Sequence, residues 1–565
     1  MNTLGPLDLV VIVATLLVVT VVGGRLAGRQ DSVHDFFLGG RRLPWWAVAA
    51  SIVATEISAV TYVSLPSVVW REGGDLSYLQ IGLLGSLIAK ALVAWLLVPA
   101  YFERELYSPY DYMGARLGGS VRGVTTVLFS IGGVLGQAAR VYLVAVVLEV
   151  LLARELGIVE AATGIPALAA AIGLIGLVSI LWTLLGGIAA IIWTDALLFL
   201  LFLAGIGVLI VSAASGVEGG LVGAIDMAAA AGKTRLFDTE LTLFQPYTVW
   251  VAVVAAPLWL LGPYGTDQLI VQRLFSCRDA REASKAMLAS YLAVAVTLLV
   301  GLVGLVLYAN LEQNPPSAEI ARQLEASPDR LVPIYVLGGL PDGLRGLVVA
   351  GVFAAAISSL DSILSALAQT SSALLFKGQG GLRSSRLLVV FWGVVLCAVA
   401  VAMRPVHERF GSILDLALAS ATYTAGALIA GFFLAFLPTG RDGRGLPWSA
   451  ALSVASVVVL AWPEASVREG VHFALGLLLV LWVLVRLLRG SDGLRHEGAR
   501  TLWLLVGIAV VWALGVWGHG VTPEGGPRPI AYPWFVVAGA LVAFAFGYLL
   551  AHPRDPSEDP AACDA

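Results

Sequence analysis

The chain has 565 residues, of which 59% are hydrophobic and only 13% charged, about half the charged share of a soluble chain. A mean hydropathy of +0.89 and a net charge of −4, from 34 Lys and Arg against 38 Asp and Glu, exclude a large soluble catalytic domain and a basic nucleic-acid binder. Cys277, Cys397 and Cys563 have no metal-ligand spacing and cannot form a disulfide framework, so no cofactor is expected.

A membrane-spanning helix needs roughly 20 mostly apolar residues. Fifteen such runs, bounded by charge, Gly or Pro, follow one another along the chain. They cover 7–25, 44–70, 76–100, 123–153, 165–186, 189–214, 246–271, 284–309, 345–376, 386–403, 411–437, 447–463, 469–488, 501–518 and 532–552. The flank of the first run, MNTLGPLD, carries an acid and no Lys or Arg, and the basic residues follow the run. It is therefore expected to stay in place with its N-terminus outside, unlike a cleaved signal peptide. Loops after odd-numbered runs hold 21 Lys and Arg and the opposite loops 11, which puts the first set and the C-terminus in the cytoplasm. The expected partners are the lipid bilayer and a small molecule, with no nucleic acid.

Ionisable groups at membrane depth are functional candidates because each costs at least ~2.5 to 3.5 kcal/mol to insert. They are Glu56 in the second run, Lys90 in the third, Arg140 in the fourth, Asp195 in the sixth, Asp267 at the inner end of the seventh and Asp361 in the ninth. Lys90 is expected to snorkel toward the cytoplasmic end. Asp267, beside Gln268, Gln272 and Arg273, reads as part of a structural network where its helix leaves the membrane. Glu56, Arg140, Asp195 and Asp361 then need interior partners.

The seventh run contains LLGPYGTDQ, where Gly262, Pro263 and Gly265 interrupt an apolar helix. Such an interruption frees backbone groups that only protein or a cavity can take up in a membrane, and discontinuous helices are typical of secondary transporters. The ninth run reads GVFAAAISSLDSILSALAQTSSALLF from Gly351. Its Ser358, Ser359, Ser362, Ser365 and Gln369 stripe one helical face. Small residues alone would serve helix packing, but packing does not explain Asp361. Hydroxyls and a carboxylate without Cys or His offer hard oxygen ligands suited to an alkali or alkaline-earth cation.

Five segments together resemble the sodium:solute symporter family: RRLPWWAVAASIVATEISAVTYVSLPS from Arg41, LYSPYDYMGARLG from Leu106, LGGIAAIIWTDA from Leu185, YGTDQLIVQRLFSCRDAREASKA from Tyr264 and AAAISSLDS from Ala354. The resemblance implies an all-α polytopic membrane protein with a five-plus-five inverted repeat of the leucine-transporter type and extra helices, about 15 spans in all. Residues 1–30 would be an accessory span and 40–440 the transport core, followed by four additional spans over 441–552 and a cytoplasmic tail over 553–565. By the symmetry of that fold, the second span should be unwound around Ala54 to Ser58. The implied location is the plasma (inner) membrane.

The same resemblance implies sodium-coupled symport of a small polar organic solute by alternating access. Its sodium site carries over to the backbone carbonyls of Ala54, Ile57 and Ala355 and the hydroxyls of Ser358 and Ser359, a neutral five-oxygen cage. A second cation site, for sodium or a shared proton, would use Asp195, Ser358, Asp361 and Ser362, with Asp361 standing where relatives have a serine. Glu56 and Arg140 are expected to face the substrate cavity and each other, with Ser58, Gln137 and Tyr264 as weaker neighbours. Val60 and Thr61 stand where sugar carriers of the family hold a run of polar and aromatic residues, and Leu198 stands where the family frequently has Gln, so a glucose-type site is not expected. The competing readings are a non-transporting sensor on the same fold and a membrane-embedded enzyme, the latter disfavoured because HExxH, GxSxG and Cys/His clusters are missing from the sequence.

Overall fold

The computed structural model of the chain describes residues 3–28, 31–57, 59–103, 106, 108–376, 381–405, 413–437, 440–462, 464–487, 498–521 and 526–553. The fold is mostly helical (83%), and among the described residues each of the fifteen apolar runs overlaps helical backbone. In chain order the main helices are α1 (Pro6–Ala27), α2 (Trp45–Glu56), α3 (Ala59–Trp70), α4 (Ile81–Phe102), α5 (Gly119–Leu151), α6 (Ala167–Ser215), α7 (Val251–Thr266) and α8 (Gln268–Phe275). They continue with α9 (Ala280–Gln313), α10 (Leu344–Phe376), α11 (Leu382–Val401), α12 (Ile413–Phe436), α13 (Leu446–Ala461), α14 (Ala465–Leu487), α15 (Gly498–Trp517) and α16 (Pro533–Leu550). Among the described residues, ten helices are long and apolar enough to cross a membrane, and the bent pair α2–α3 makes an eleventh if it is one span. The outer faces of these helices are apolar: Val10, Leu17, Trp95 and Val211 are all more than half exposed, as a lipid-facing surface requires.

The helices gather into two compact units. The first comprises residues 1–103, 133–238 and 269–418, and the second 104–132, 239–268 and 419–565. Within the first unit α10 lies against α1, α6 and α11, while α2 lies against α6 and α3 against α9. Within the second, α13 packs on α14, α15 and α16 around Leu452, Val459, Trp482, Val511 and Phe546.

At 1.5 Å per residue, the 49 residues of α6 would run about 74 Å if straight, more than twice the hydrocarbon thickness. The chain instead breaks direction at Gly187, whose φ of 54° and ψ of −156° only glycine adopts readily. A β-carbon there would also lie 2.4 Å from the Phe36 carbonyl oxygen. The expected boundary between the fifth and sixth runs falls at this residue.

The first helix is tied directly to α10. Asp8, fully buried, accepts hydrogen bonds from the backbone N–H groups of Gly343 (2.7 Å) and Gly346 (3.0 Å), which belong to the N-terminal turn of α10. A helix N-terminus leaves such donors without intrahelical partners and favours negative charge. Asp8 therefore caps one span from another.

Two helix breaks stand at the places the sequence drew attention to, with differences of detail. In the second run α2 ends at Glu56, Ile57 leaves the helix (φ −88°, ψ 81°) and α3 continues at an angle of 52°. No Gly or Pro marks this break. The Thr55 hydroxyl donates back to the Ser51 carbonyl at 2.8 Å, a local competitor of the helix ladder that bends helices. In the seventh run Gly262, Pro263 and Gly265, expected to interrupt the helix, stay inside it as a widened π turn, and the chain turns extended only at Asp267 (φ −87°, ψ 128°). Pro263 lacks an N–H to give. The wider turn is closed instead by the Asp267 N–H donating to the Gly262 carbonyl at 2.9 Å, five residues back.

Candidate functional site

The broken end of α2 faces the middle of α10 across a void of about 10 Å³ lined by Ala54, Ile57, Leu198, Phe199, Phe202 and Ser358. A helix end leaves its last carbonyls without intrahelical partners, so the break at Ile57 presents backbone oxygen to a space of about the size of one water. Ser359 is buried on α10 beside Ser358. The backbone of Ala355 is helical one turn earlier, and its side chain lies outside the described residues, as does Ser58. Of the five expected sodium ligands, Ala54, Ile57 and Ser358 line one space.

One turn further along α10, three fully buried ionisable groups meet: Asp195 from α6, Asp361 from α10 and Arg273 from α8. Asp195 Oδ2 accepts from Ser51 Oγ at 2.6 Å and from Arg273 Nη2 at 2.9 Å, and its Oδ1 accepts from Ser358. Arg273 also donates through Nε to Ser51 Oγ (2.7 Å), through Nη1 to the Leu269 carbonyl (2.5 Å) and through Nη2 to Ser362. Ser362 donates to the Ser358 carbonyl at 2.5 Å, and its oxygen stands 3.2 Å from Asp361 Oδ1. The remaining Asp361 oxygen, Oδ2, is buried with no hydrogen-bond partner among the described residues. The group thus counts two carboxylates against one guanidinium.

Gln272, next to Arg273, donates to the Phe37 carbonyl (2.9 Å) and to Ser365 (3.0 Å), which seats α8 on the serine stripe of α10. Gln272 and Arg273 read from sequence as residues of a helix leaving the membrane. The structure makes Arg273 the interior partner of Asp195 instead. The signal in the sequence is only partial: an aspartate in an apolar span needs a counter-charge, but Arg273 lies just past the end of the seventh run.

Glu56 also finds an interior partner that the sequence assigned elsewhere. Lys90 is fully buried rather than snorkelling, and its Nζ donates to Glu56 Oε1 at 2.7 Å and to Ser290 Oγ at 2.9 Å. A buried ammonium with a carboxylate and a hydroxyl in reach has no need of the membrane surface. On α5, Gln137 and Arg140 stand three residues apart and so share a helical face. Gln137 is buried and its Oε1 has no partner among the described residues, and Arg140 is half-buried. In the second unit Tyr264 is buried within the π turn of α7.

Broken spans with carboxylates and hydroxyls gathered beside the breaks define a secondary transporter. The model of the sodium:solute symporter family matches residues 36–439. The chain belongs to that family. It is a sodium-coupled symporter of small solutes and not an enzyme.

Among its relatives are the sodium-coupled monocarboxylate transporter 2 of Bos taurus, 26% identical over 76% of this chain and 68% of that protein, and the sodium/sialic acid symporter NanT of Aliivibrio fischeri, 27% identical over 85% and 93%. The sodium/iodide cotransporter of Homo sapiens is 28% identical over 77% and 67%. Among solved structures, a sodium-coupled sialic acid symporter in a substrate-bound outward-open state aligns with a TM-score of 0.71 at 19% identity, covering 97% of this chain and 99% of that one. At that identity the likeness establishes the fold alone.

Proposed function

We propose that the chain carries a small organic anion bearing a carboxylate, together with sodium, by alternating access. The observation that supports the substrate class is the polar face of α5, where Gln137 and Arg140 stand three residues apart. A guanidinium offers a planar donor fork that matches a carboxylate, and Gln137 on the same face adds an amide whose oxygen is unclaimed among the described residues. Glu56 and Ser58 complete the proposed substrate set. The names of the relatives point the same way, since monocarboxylates, sialic acid and iodide are all anions. Uptake of a panel into proteoliposomes under an inward sodium gradient tests this. A monocarboxylate or sugar acid should accumulate and glucose should not; accumulation of glucose alone overturns the substrate class.

The sodium site of this reading is formed by the carbonyls of Ala54, Ile57 and Ala355 and the hydroxyls of Ser358 and Ser359. Five neutral oxygens suit a monovalent cation better than Mg²⁺ or Ca²⁺, which normally recruit carboxylates. Asp195, Ser358, Asp361 and Ser362 form a second cation site in which Arg273 is the resident positive charge. Two carboxylates against one guanidinium leave the group one charge short, so a second monovalent cation completes it. The sodium-to-solute ratio should be two in the wild type and one in Asp361→Asn, which removes the deficit and leaves the Asp195–Arg273 pair intact. A ratio of one in both proteins rejects the second site.

The transport core of this reading is the five-plus-five repeat, with α2–α3 opening the first half and α7–α8 the second. Fifteen spans result if α6 counts twice, the bent pair once, and the shorter apolar helices α7, α12 and α13 also cross. The N-terminus is outside and the C-terminus cytoplasmic, in the plasma (inner) membrane, supported by the 21 to 11 bias of Lys and Arg between alternate loops.

A further inference from the structure

We propose that the chain binds an anionic phospholipid in a crevice between α6 and α11, away from the transport path and independent of the substrate assignment. The crevice, about 400 Å³, is lined by Leu184, Leu185, Arg383, Arg386, Leu387 and Val390. Its basic end is built by one helix face. Arg383 and Arg386 lie in the first turns of α11 at a spacing of three, so they stand side by side, and both are exposed with no hydrogen-bond or ion-pair partner among the described residues.

The apolar end follows directly from the same face. Leu387 and Val390 are each four residues beyond one of the arginines, one turn deeper into the span, and Leu387 is 64% exposed. The opposite wall is Leu184 and Leu185, the last residues of the arm of α6 that ends at the Gly187 turn, with Leu185 70% exposed. The start of α11 and the turn of α6 both belong to loops after odd-numbered runs, so the two walls meet at the same end of their spans, with Leu387 and Val390 one turn deeper than Arg383 and Arg386 respectively.

Two forked guanidiniums beside an apolar trough match a phosphodiester with attached acyl chains. Arginine binds phosphate oxygens in a bidentate way, and basic pockets between spans hold anionic headgroups. A free phosphate would use the arginines and leave the apolar walls uncovered, whereas a neutral lipid would cover the walls and leave the arginines unpaired. Only an anionic lipid uses both ends.

The test is lipid retention by the purified full-length chain, measured by native mass spectrometry with dioleoylphosphatidylglycerol, dioleoylphosphatidylcholine and inorganic phosphate as separate probes. The glycerol lipid should bind more tightly than the choline lipid, and millimolar inorganic phosphate should not displace it. Arg383→Ala with Arg386→Ala should weaken the glycerol lipid by about thirtyfold, about a factor of five per guanidinium, with sodium-dependent uptake retained as proof of folding. Leu387→Trp, which fills the trough and keeps both charges, should also weaken it. Equal binding of the two lipids, displacement by inorganic phosphate, or undiminished binding in both variants overturns the proposal.

Discussion

Arg273 fixes the character of the buried cluster around Asp195 and Asp361. Its guanidinium serves Asp195, Ser51 and Ser362 at once in a fully buried setting. Removing one partner of such a pair strands a charge, at about 3 to 5 kcal/mol. Arg273→Met should therefore lower thermal stability in detergent by a margin that Arg273→Met with Asp195→Leu largely restores; equal melting of the single variant and the wild type would show that the pair is idle. At the proposed sodium site the same reasoning concerns hydroxyls. Ser358→Ala or Ser359→Ala should raise the sodium concentration for half-maximal uptake about tenfold, the effect of losing ~1.4 kcal/mol of ion binding. Unchanged sodium dependence in both removes these serines from the site. For the substrate, Arg140→Lys keeps the charge and loses the fork, so it should fold normally and bind solute more weakly, whereas wild-type affinity would assign Arg140 a structural role. The carboxylates and serines were legible in sequence because polar residues in an apolar span stand out. Their counter-charges were not. Arg273 sits at the edge of its run and Lys90 is long enough to reach either way, so only packing decides where each ammonium or guanidinium goes.

Helices were legible as runs, and their breaks less so. Apolar length marked the ten helices that are long and apolar enough to cross a membrane among the described residues, and Gly187 falls where one run gave way to the next. The break at Ile57 carries no Gly or Pro and depends on tertiary contacts, Lys90 holding Glu56 among them, so only the symmetry implied by the resemblance pointed to it. At the seventh run Gly262 and Pro263 drew attention to the right turn, yet the backbone absorbs them by widening and breaks five residues after Gly262, at Asp267. At the N-terminal helix, no motif signals that Asp8 reaches the first turn of α10, because a cap between distant segments has no local spacing. Asp8→Ala removes that cap and should destabilise the protein by about 1 to 2 kcal/mol. Because α10 also carries Ser358 and Ser359, the same variant should weaken sodium binding without touching the site. A melting temperature and a sodium titration equal to wild type would reduce the contact to incidental packing. Gly187→Ala, by contrast, should fail to give folded carrier, since a β-carbon there overlaps the Phe36 carbonyl and the backbone sits in a region closed to alanine.

For the molecule as a whole, the charge ledger connects site to function. A chain with only 13% charged residues keeps a few of them in its interior and binds them to one another across spans: Asp195 to Arg273, Glu56 to Lys90. At Asp195, Asp361 and Arg273 the interior holds two carboxylates against one guanidinium, a deficit that the proposed second cation would fill. The most direct test follows radioactive sodium and a labelled monocarboxylate together into proteoliposomes with the membrane potential clamped. The account predicts that solute accumulates only while a sodium gradient exists, that sodium enters in fixed proportion to it, and that Ser358→Ala with Ser359→Ala uncouples the two. Solute accumulation at the same rate with potassium or choline in place of sodium would contradict it.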